Sequence, residues 1–302
     1  MFVGFKTAKN NDIYLSDVSV TDDVYETENM FGGVKMTIIE PEKNQTEGFM
    51  LVTENKKIIM IDGGDQYDKD NVVKLIRQYK NEVDDWYISH YHCDHVFALI
   101  RILEEEDIFI KNLYYDFNVT DEILEKYGDE DNYLVARMKK AVGENRSKIG
   151  NVITPEKGNE FTTDGVKVKI LNNATFRAMA NMPNDSSIVF KVETPGKNIL
   201  FLGDLGAYGD ALLKDEYFYN EIQDCEVVQL GHHGQSGVSD KFYQSLPAMK
   251  VAIYCAPEWL FDCNSGKGVG SGSWLTLRTR EIMRVLKIRK TCSLKYGRAE
   301  LG

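Results

Sequence analysis

The sequence predicts a layered α/β fold in which strands and helices alternate around one core. Apolar, β-branched runs of strand length recur along the chain and end at turn signals. Segments with apolar residues at helical spacing follow several of them, which is the pattern of sheets flanked by helices. No internal repeat, low-complexity stretch or Pro/Ser/Gly-rich linker interrupts the 302 residues, and only six of them are proline. Residues 1–302 are therefore read as a single domain.

The elements follow in order. Residues 34–39 (VKMTII) and 48–53 (GFMLVT) read as strands, and Asn55, Lys56 and Lys57 form a turn. Residues 58–61 (IIMI) form a buried strand that stops at Asp62-Gly63-Gly64. Val72, Val73, Leu75, Ile76 and Tyr79 mark a helix over 69–79. A short buried strand over 86–89 leads into a histidine cluster, followed by a buried helix over 96–103. The stretch from about 104 to 150 is charged and mostly helical, and reads as an insertion or cover; Glu104 to Asp107 is a solvated helix end. Strands are predicted at 167–171, 187–192, 198–202, 226–230 and 251–254. Helices are predicted at 212–219, 241–246 and 279–287, with a short strand closing the chain.

Composition narrows the partners. A formal net charge of −11 and a pI near 5.1 disfavour broad electrostatic binding to duplex nucleic acid. The opening residues Met1 to Asn10 contain no apolar stretch of the kind a secretory signal needs, and no apolar run approaches the length of a membrane span. The five cysteines (Cys93, Cys225, Cys255, Cys263, Cys292) are irregularly spaced without a CxxC pair. They read as free thiols in a reducing compartment. The expectation is a soluble, cytoplasmic protein with no membrane partner.

Histidine carries the chemistry. The chain has five: His90, His92 and His95 in one cluster, His232 and His233 in another. In Ser89-His90-Tyr91-His92-Cys93-Asp94-His95, a strand runs into a helix. Extended backbone puts His90 and His92 on one face, and the first helical turn then projects Asp94 and His95. Four ligand-type side chains within six positions can hold two cations, since imidazole suits zinc, iron or manganese and a carboxylate can hold a cation or orient water.

This HxHxDH pattern resembles the signature of the metallo-β-lactamase superfamily, and further landmarks follow in that family's order. They are Asp62-Gly63-Gly64 after a buried strand, Asp204 in residues 199–205 (ILFLGDL), and His232-His233 in residues 230–236 (LGHHGQS). The resemblance implies an αββα sandwich of two mixed sheets flanked by helices. It implies a centre of two divalent ions, with zinc favoured and manganese or iron as alternatives. Its ligands would come from His90, His92, Asp94, His95, Asp204 and His232, with Asp204 bridging and Asp62 as a support behind them. One of His232 and His233 would be the ligand and the other would contact the substrate or leaving group; His232 is taken with the ligands, and His233 with Asp94 as the catalytic pair. The third histidine that lactamases and lactonases place before the bridging Asp is missing, because residues 96–231 contain none. Asp185 or Asn184 would complete that set, or the position would be left to water, with Asn184-Asp185 forming a turn before the strand.

Residues 184–189 (NDSSIV), the LFLGD run and the His-His-Gly that follows also resemble the hydrolase domain of the competence protein ComEC and its free-standing relatives. Gln235 intervenes before Ser236, and His92 stands where that family often has Asp, so the chain departs from that pattern at two points. The resemblance implies a stand-alone hydrolase that uses a metal-bridging hydroxide oriented by Asp94. A small-molecule or nucleotide substrate is expected, with phosphodiester cleavage of a nucleotide or single strand favoured. The alternatives are an acyl hydrolase of the lactonase or thioesterase kind, and a member that binds a ligand without turnover. Residues 266–274 (GKGVGSGSW) are rich in glycine without the phosphate-loop pattern, and read as a rim loop. Trp259 and Trp274 are read as ordinary core or rim aromatics, with base stacking as the alternative.

Overall fold

A computed structural model describes residues 6–7, 13–14, 29–176, 181–288, 290–296 and 299–301. Of the opening segment Met1 to Asn10, only Lys6 and Thr7 are among them.

Two short strands, β1 (Lys6–Thr7) and β2 (Ile13–Tyr14), pair antiparallel. The first large sheet begins with β3 (Lys35–Ile38), β4 (Gly48–Val52) and β5 (Ile58–Asp62), an antiparallel meander. After helix α1 (Lys69–Arg77), β6 (Glu82–Tyr87) adds parallel to β5. Helix α2 (Cys93–Glu105) leads to β7 (Phe109–Tyr114), and helices α3 (Asp121–Tyr127) and α4 (Tyr133–Glu144) lead to β8 (Ile149–Ile153), both parallel additions.

The second sheet repeats the plan. Strands β9 (Glu160–Thr163), β10 (Val166–Ile170), β11 (Phe190–Glu193) and β12 (Asn198–Phe201) are antiparallel, with the short helix α5 (Met182–Asp185) before β11. Helices α6 (Gly209–Leu212) and α7 (Glu216–Glu221) precede β13 (Cys225–Gln229), which pairs parallel to β12. Helix α8 (Asp240–Gln244) then precedes β14 (Val251–Tyr254). Helices α9 (Glu258–Phe261) and α10 (Thr276–Val285) precede β15 (Lys290–Ser293), again parallel. The last strand, β16 (Ala299–Leu301), returns to the first sheet beside β3. The orders are β16-β3-β4-β5-β6-β7-β8 and β15-β14-β13-β12-β11-β10-β9, seven strands each.

Side-chain alternation sets the layers. On β4 and β5, Phe49, Leu51, Ile59 and Ile61 face the second sheet, where they meet Phe190, Val192, Ile199 and Phe201. Met50, Val52, Ile58 and Met60 face the other way, onto α1, α2 and α4. Leu200, Leu202, Val228 and Leu230 face the outer helices of the second half. Strands buried on both faces read as continuous apolar runs, which is why IIMI and NILF were legible as central strands. The expected αββα sandwich of two mixed sheets flanked by helices is the observed architecture.

The strands β1, β2, β7, β8 and β9 escaped the sequence reading, and the single closing strand expected is two, β15 and β16. The span from about 104 to 150 contains α3 and α4, and also β7, which takes an interior place in the first sheet. The predicted helix over 212–219 is two, α6 and α7, with a break at Asp215, whose carboxylate caps α7 by accepting from Phe218 N–H. Among the described residues no helix is long and apolar enough to cross a membrane.

Candidate metal centre

The site forms where the two sheets present the C-terminal ends of their parallel strands. β5 ends at Asp62, whose left-handed φ of 55° turns the chain into Gly63-Gly64. The Gly63 N–H donates to the His95 carbonyl at 2.7 Å, and Ala98 N–H donates to the Gly64 carbonyl at 3.0 Å, so this loop is clasped to the start of α2. β6 delivers Ser89 and His90; His92 is the extended N-cap of α2, and Asp94 and His95 occupy its first turn.

The second half supplies the rest. Gly203, at φ 54°, turns the chain after β12 so that Asp204 points inward. A Cβ there would come within 2.9 Å of Ser89 Cβ and 3.0 Å of Ser187 Oγ, so glycine is required where the two halves meet. After β13 a single tight turn carries His232 and His233, both left-handed, with φ 53° and 55°.

Asp204 is the hub. Its Oδ1 lies 3.2 Å from His95 Nε2 and 3.6 Å from His233 Nε2, and its Oδ2 lies 3.9 Å from His90 Nε2 and 3.6 Å from His232 Nε2. Asp94 Oδ2 is 3.0 Å from His233 Nε2, and Asp94 Oδ1 is 3.9 Å from His95 Nε2. Two groups of ligand atoms result, each with all members within 4.8 Å of one another: His90, His92 and Asp204, and Glu47, His95, Asp204 and His233.

Every imidazole has its far nitrogen held. His95 Nδ1 pairs with Asp62 Oδ2 at 2.8 Å, His90 Nδ1 with Ser89 Oγ at 3.0 Å, and His233 Nδ1 with the Cys255 carbonyl at 2.9 Å. His232 Nδ1 pairs with Ser236 Oγ at 3.0 Å, and His92 is held through Nε2, 2.8 Å from Asp129 Oδ2. Asp62 is itself fixed by the Ser89 N–H and Oγ–H, each donating at 2.7 Å. Such partners select the tautomer whose other nitrogen can bind a metal. The buried atoms left without a hydrogen bond include His90 Nε2, His95 Nε2, His233 Nε2, both Asp204 oxygens and Glu47 Oε1. Buried polar groups are nearly always satisfied, so this convergence of bare imidazole nitrogens and carboxylate oxygens fits a divalent-cation site.

The electrostatics follow from burial and proximity. Burial, helped by the neighbouring His95, pushes His90 well below the usual imidazole range. Burial also disfavours charge on His95 and His233, but Asp204 and Asp94 outweigh it, raising His95 well above its ordinary value and His233 to about 9. Asp94 and Asp204 are held low against their own burial by His95 and His233. Burial lifts Glu47 to about 8.

Of the residues named from the sequence, His90, His92, Asp94, His95, Asp204, His232 and His233 converge here, with Asp62 directly behind His95. His233 is wholly buried, whereas the His232 side chain is 19% exposed. Asp185 is in neither group, while Asn184 Oδ1 is buried without a hydrogen-bond partner. Asp185 Oδ1 instead accepts from the Gly206 and Tyr208 N–H groups at 2.9 and 3.1 Å, shaping the loop after Asp204. Asn184 Nδ2 donates to Asn181 Oδ1 at 3.3 Å. Trp259 and Trp274 pack edge to face, 4.9 Å between centroids, against the outer core of the second half. Missed altogether were Glu47, Asp129 and Gln45, whose Nε2 donates to Asp94 Oδ2 at 2.7 Å. All three stand outside any local motif. A cavity of about 480 Å³ adjoins the His232 turn, lined by Gln235 and Ser236 on one side and Lys241 and Arg278 on another.

Residues 33–238 match the family model of the anti-Pycsar protein Apyc1. The chain belongs to that family. No curated protein matches it. Among solved structures it is similar to the metallo-β-lactamase fold protein YhfI from Bacillus subtilis, with 11% identity, 88% of this chain and 99% of that one covered, and a TM-score of 0.54. It is also similar to unliganded yeast PDE1, with 14% identity, 89% and 99% covered, and a TM-score of 0.54. At these identities the likeness establishes the metallo-β-lactamase fold.

Proposed function

We propose that this chain is a metal-dependent phosphodiesterase acting on a nucleotide or short single strand, with zinc the first cation to test. The observation that carries the reading is the division of Asp204, one oxygen toward each of two imidazole sets. His90 Nε2, His92 Nδ1, Asp204 Oδ2 and His232 Nε2 would hold the first cation. In this assignment His232 stands in for the histidine absent between residues 96 and 231, and Asp185 and Asn184 are not needed. Asp94, His95 Nε2, Asp204 Oδ1 and His233 Nε2 would hold the second, which makes His233 a ligand rather than a group free to move protons.

A pair of divalent cations supplies a water of lowered pKa and polarises the scissile group. Asp94, steadied by Gln45, turns its carboxylate toward the second set, with Oδ2 3.0 Å from His233 Nε2. His232, its side chain 19% exposed, is the ligand nearest the mouth of the site, and burial holds it below the usual imidazole range. The adjoining cavity is of a size that suits a nucleotide, and its Ser236 wall is continuous with His232. Family membership and the fold shared with yeast PDE1 are compatible with this reading, as is the local likeness to the ComEC-type hydrolase domain in residues 184–189.

The test is hydrolysis of an activated phosphodiester, bis(4-nitrophenyl) phosphate, with zinc and manganese each supplied, beside Asp94→Ala. Turnover that disappears in the variant is the expected result. Folded, metal-loaded protein that leaves the phosphodiester intact would overturn it, and ester, lactone and simple ligand-binding assays would follow.

A further inference from the structure

We infer that Glu47 is an additional ligand of the second cation and raises the site's affinity for manganese relative to zinc. This rests on the two-cation reading above and adds a residue that no motif in the sequence marks. Glu47 sits directly before β4, and its N–H donates to the Asp94 carbonyl at 2.9 Å, which ties it to the ligand helix. Its side chain is wholly buried, at 0% exposure.

One half of the carboxylate is satisfied. Gln229 Nε2, at the end of β13, donates to Glu47 Oε2 at 2.9 Å. That amide cannot turn over: its Oε1 accepts from the Leu202 N–H at 2.6 Å, while Nε2 also reaches the Leu230 and Gly203 carbonyls at 2.7 and 3.1 Å. The other half is bare. Oε1 has no hydrogen-bond partner. A Glu47 oxygen nonetheless lies within 4.8 Å of a ligand atom from each of His95, Asp204 and His233. A buried carboxylate oxygen aimed at another carboxylate is unfavourable unless a cation or a proton lies between them.

The donor set then distinguishes the two cations. The first would have three imidazoles and one carboxylate oxygen. The second would have carboxylates from Glu47, Asp94 and Asp204 with imidazoles from His95 and His233. Five donors rich in oxygen depart from the tetrahedral preference of zinc and suit manganese, whereas an imidazole-rich set suits zinc.

The test uses the full chain, stripped of metal, titrated with Mn²⁺ alone and with Zn²⁺ alone by calorimetry, with the electron paramagnetic resonance spectrum of bound Mn²⁺ as a second readout. Wild type should take up two ions. Glu47→Gln should weaken one manganese site at least about 10- to 100-fold, the range lost when even a metal's outer partners are removed. Zinc should weaken less, and the manganese spectrum should change. Glu47→Asp, which keeps the charge but withdraws it by one methylene, should fall between the two and serves if the amide variant does not fold. Variants that bind two Mn²⁺ with wild-type affinity and spectrum would overturn the role of Glu47 alone. Equal losses for both metals would overturn the selectivity. A wild-type chain that binds fewer than two ions would overturn this inference and the two-cation reading together.

Discussion

The two halves of the molecule follow one topology and fix their ligands by different means. Each sheet is antiparallel up to one strand and parallel after it, the change falling at β5/β6 in the first half and β12/β13 in the second. In each, the loops after those two strands build the centre. The first half uses ordinary backbone from His90 to His95 and holds its imidazoles with side chains: Asp62 on His95, Asp129 on His92, Ser89 on His90. The second half uses unusual backbone. His232, His233 and Gly234 are consecutive left-handed residues, with φ 53°, 55° and 79°, and of their imidazole partners one is a backbone carbonyl. Non-glycine residues in that region cost on the order of 1–3 kcal/mol each, so the turn stores strain that packing around Tyr254 and β13 must offset. Carboxylate partners tune ligands; strained backbone places them.

Asp204 is where the comparison is broken most completely, since it serves both sets. Asp204→Asn should abolish uptake of both cations, as metal analysis would show, and lower any hydrolytic rate on the order of 10³-fold or more, the scale of losing a central catalytic group. Retention of one tightly bound ion would mean the two sets do not share it.

The partners of the imidazoles come next. Asp129→Asn and Asp62→Asn should each weaken cation binding about 10- to 100-fold, because a carboxylate on the far nitrogen raises ligand basicity. Ser236→Ala removes only a neutral partner of a partly exposed ring and should cost a few-fold at most. Calorimetric titration of the three variants would rank them. A serine effect as large as either aspartate effect would remove the distinction between the halves. Gly234→Ala tests the backbone side of the comparison. A Cβ there would stand 2.4 Å from Tyr254 Cδ1 on a left-handed backbone, so a loss of about 2 kcal/mol is expected in denaturant unfolding. A loss near zero would show that the turn has slack.

How much of this was legible in sequence follows the same division. The first half's ligands lie within six positions, and local periodicity places them: His90 and His92 on extended chain, Asp94 and His95 on a helical turn. The buried strands around them declared themselves by unbroken apolar runs. Strand β7 did not, because FIKNLY carries Lys111 and Asn112, whose partners are Asp84 and Asp85 on the neighbouring strand. A polar pair across strands looks like solvated sequence until both strands are seen. Glu47 and Asp129 were hidden for a related reason: each reaches the centre from a separate element. The roles of His232 and His233 depend on two consecutive left-handed dihedrals, for which an adjacent pair of histidines gives no periodic signal.

The smallest expected effects come from a charge inversion between the two sheets, away from the metal centre. The first sheet encloses a carboxylate among lysines: Asp84 on β6, 6% exposed, lies 2.8 Å from Lys111 and 3.4 Å from Lys57, with Lys80 also paired to it. The second encloses a lysine among carboxylates: Lys191 on β11, 4% exposed, lies 2.8 Å from Asp224, 3.1 Å from Glu221 and 3.4 Å from Glu193. Burial works against charge in both, yet the ring of opposite charge prevails, lowering Asp84 from 3.8 and raising Lys191 from 10.5. The signs are opposite in pH. The stability contributed by Asp84 is present above its unfolded value of 3.8 and is lost as pH falls through the lower folded value. That contributed by Lys191 is present below 10.5 and is lost as pH rises through the higher folded value. Asp84→Asn should therefore flatten the acid limb of a melting-temperature profile more than the alkaline one, and Lys191→Met the reverse, both measured on metal-free protein so that the centre does not contribute. A variant that left its own limb unchanged would show that the enclosed charge contributes no stability there, and equal flattening of both limbs in both variants would remove the inversion of sign between the sheets.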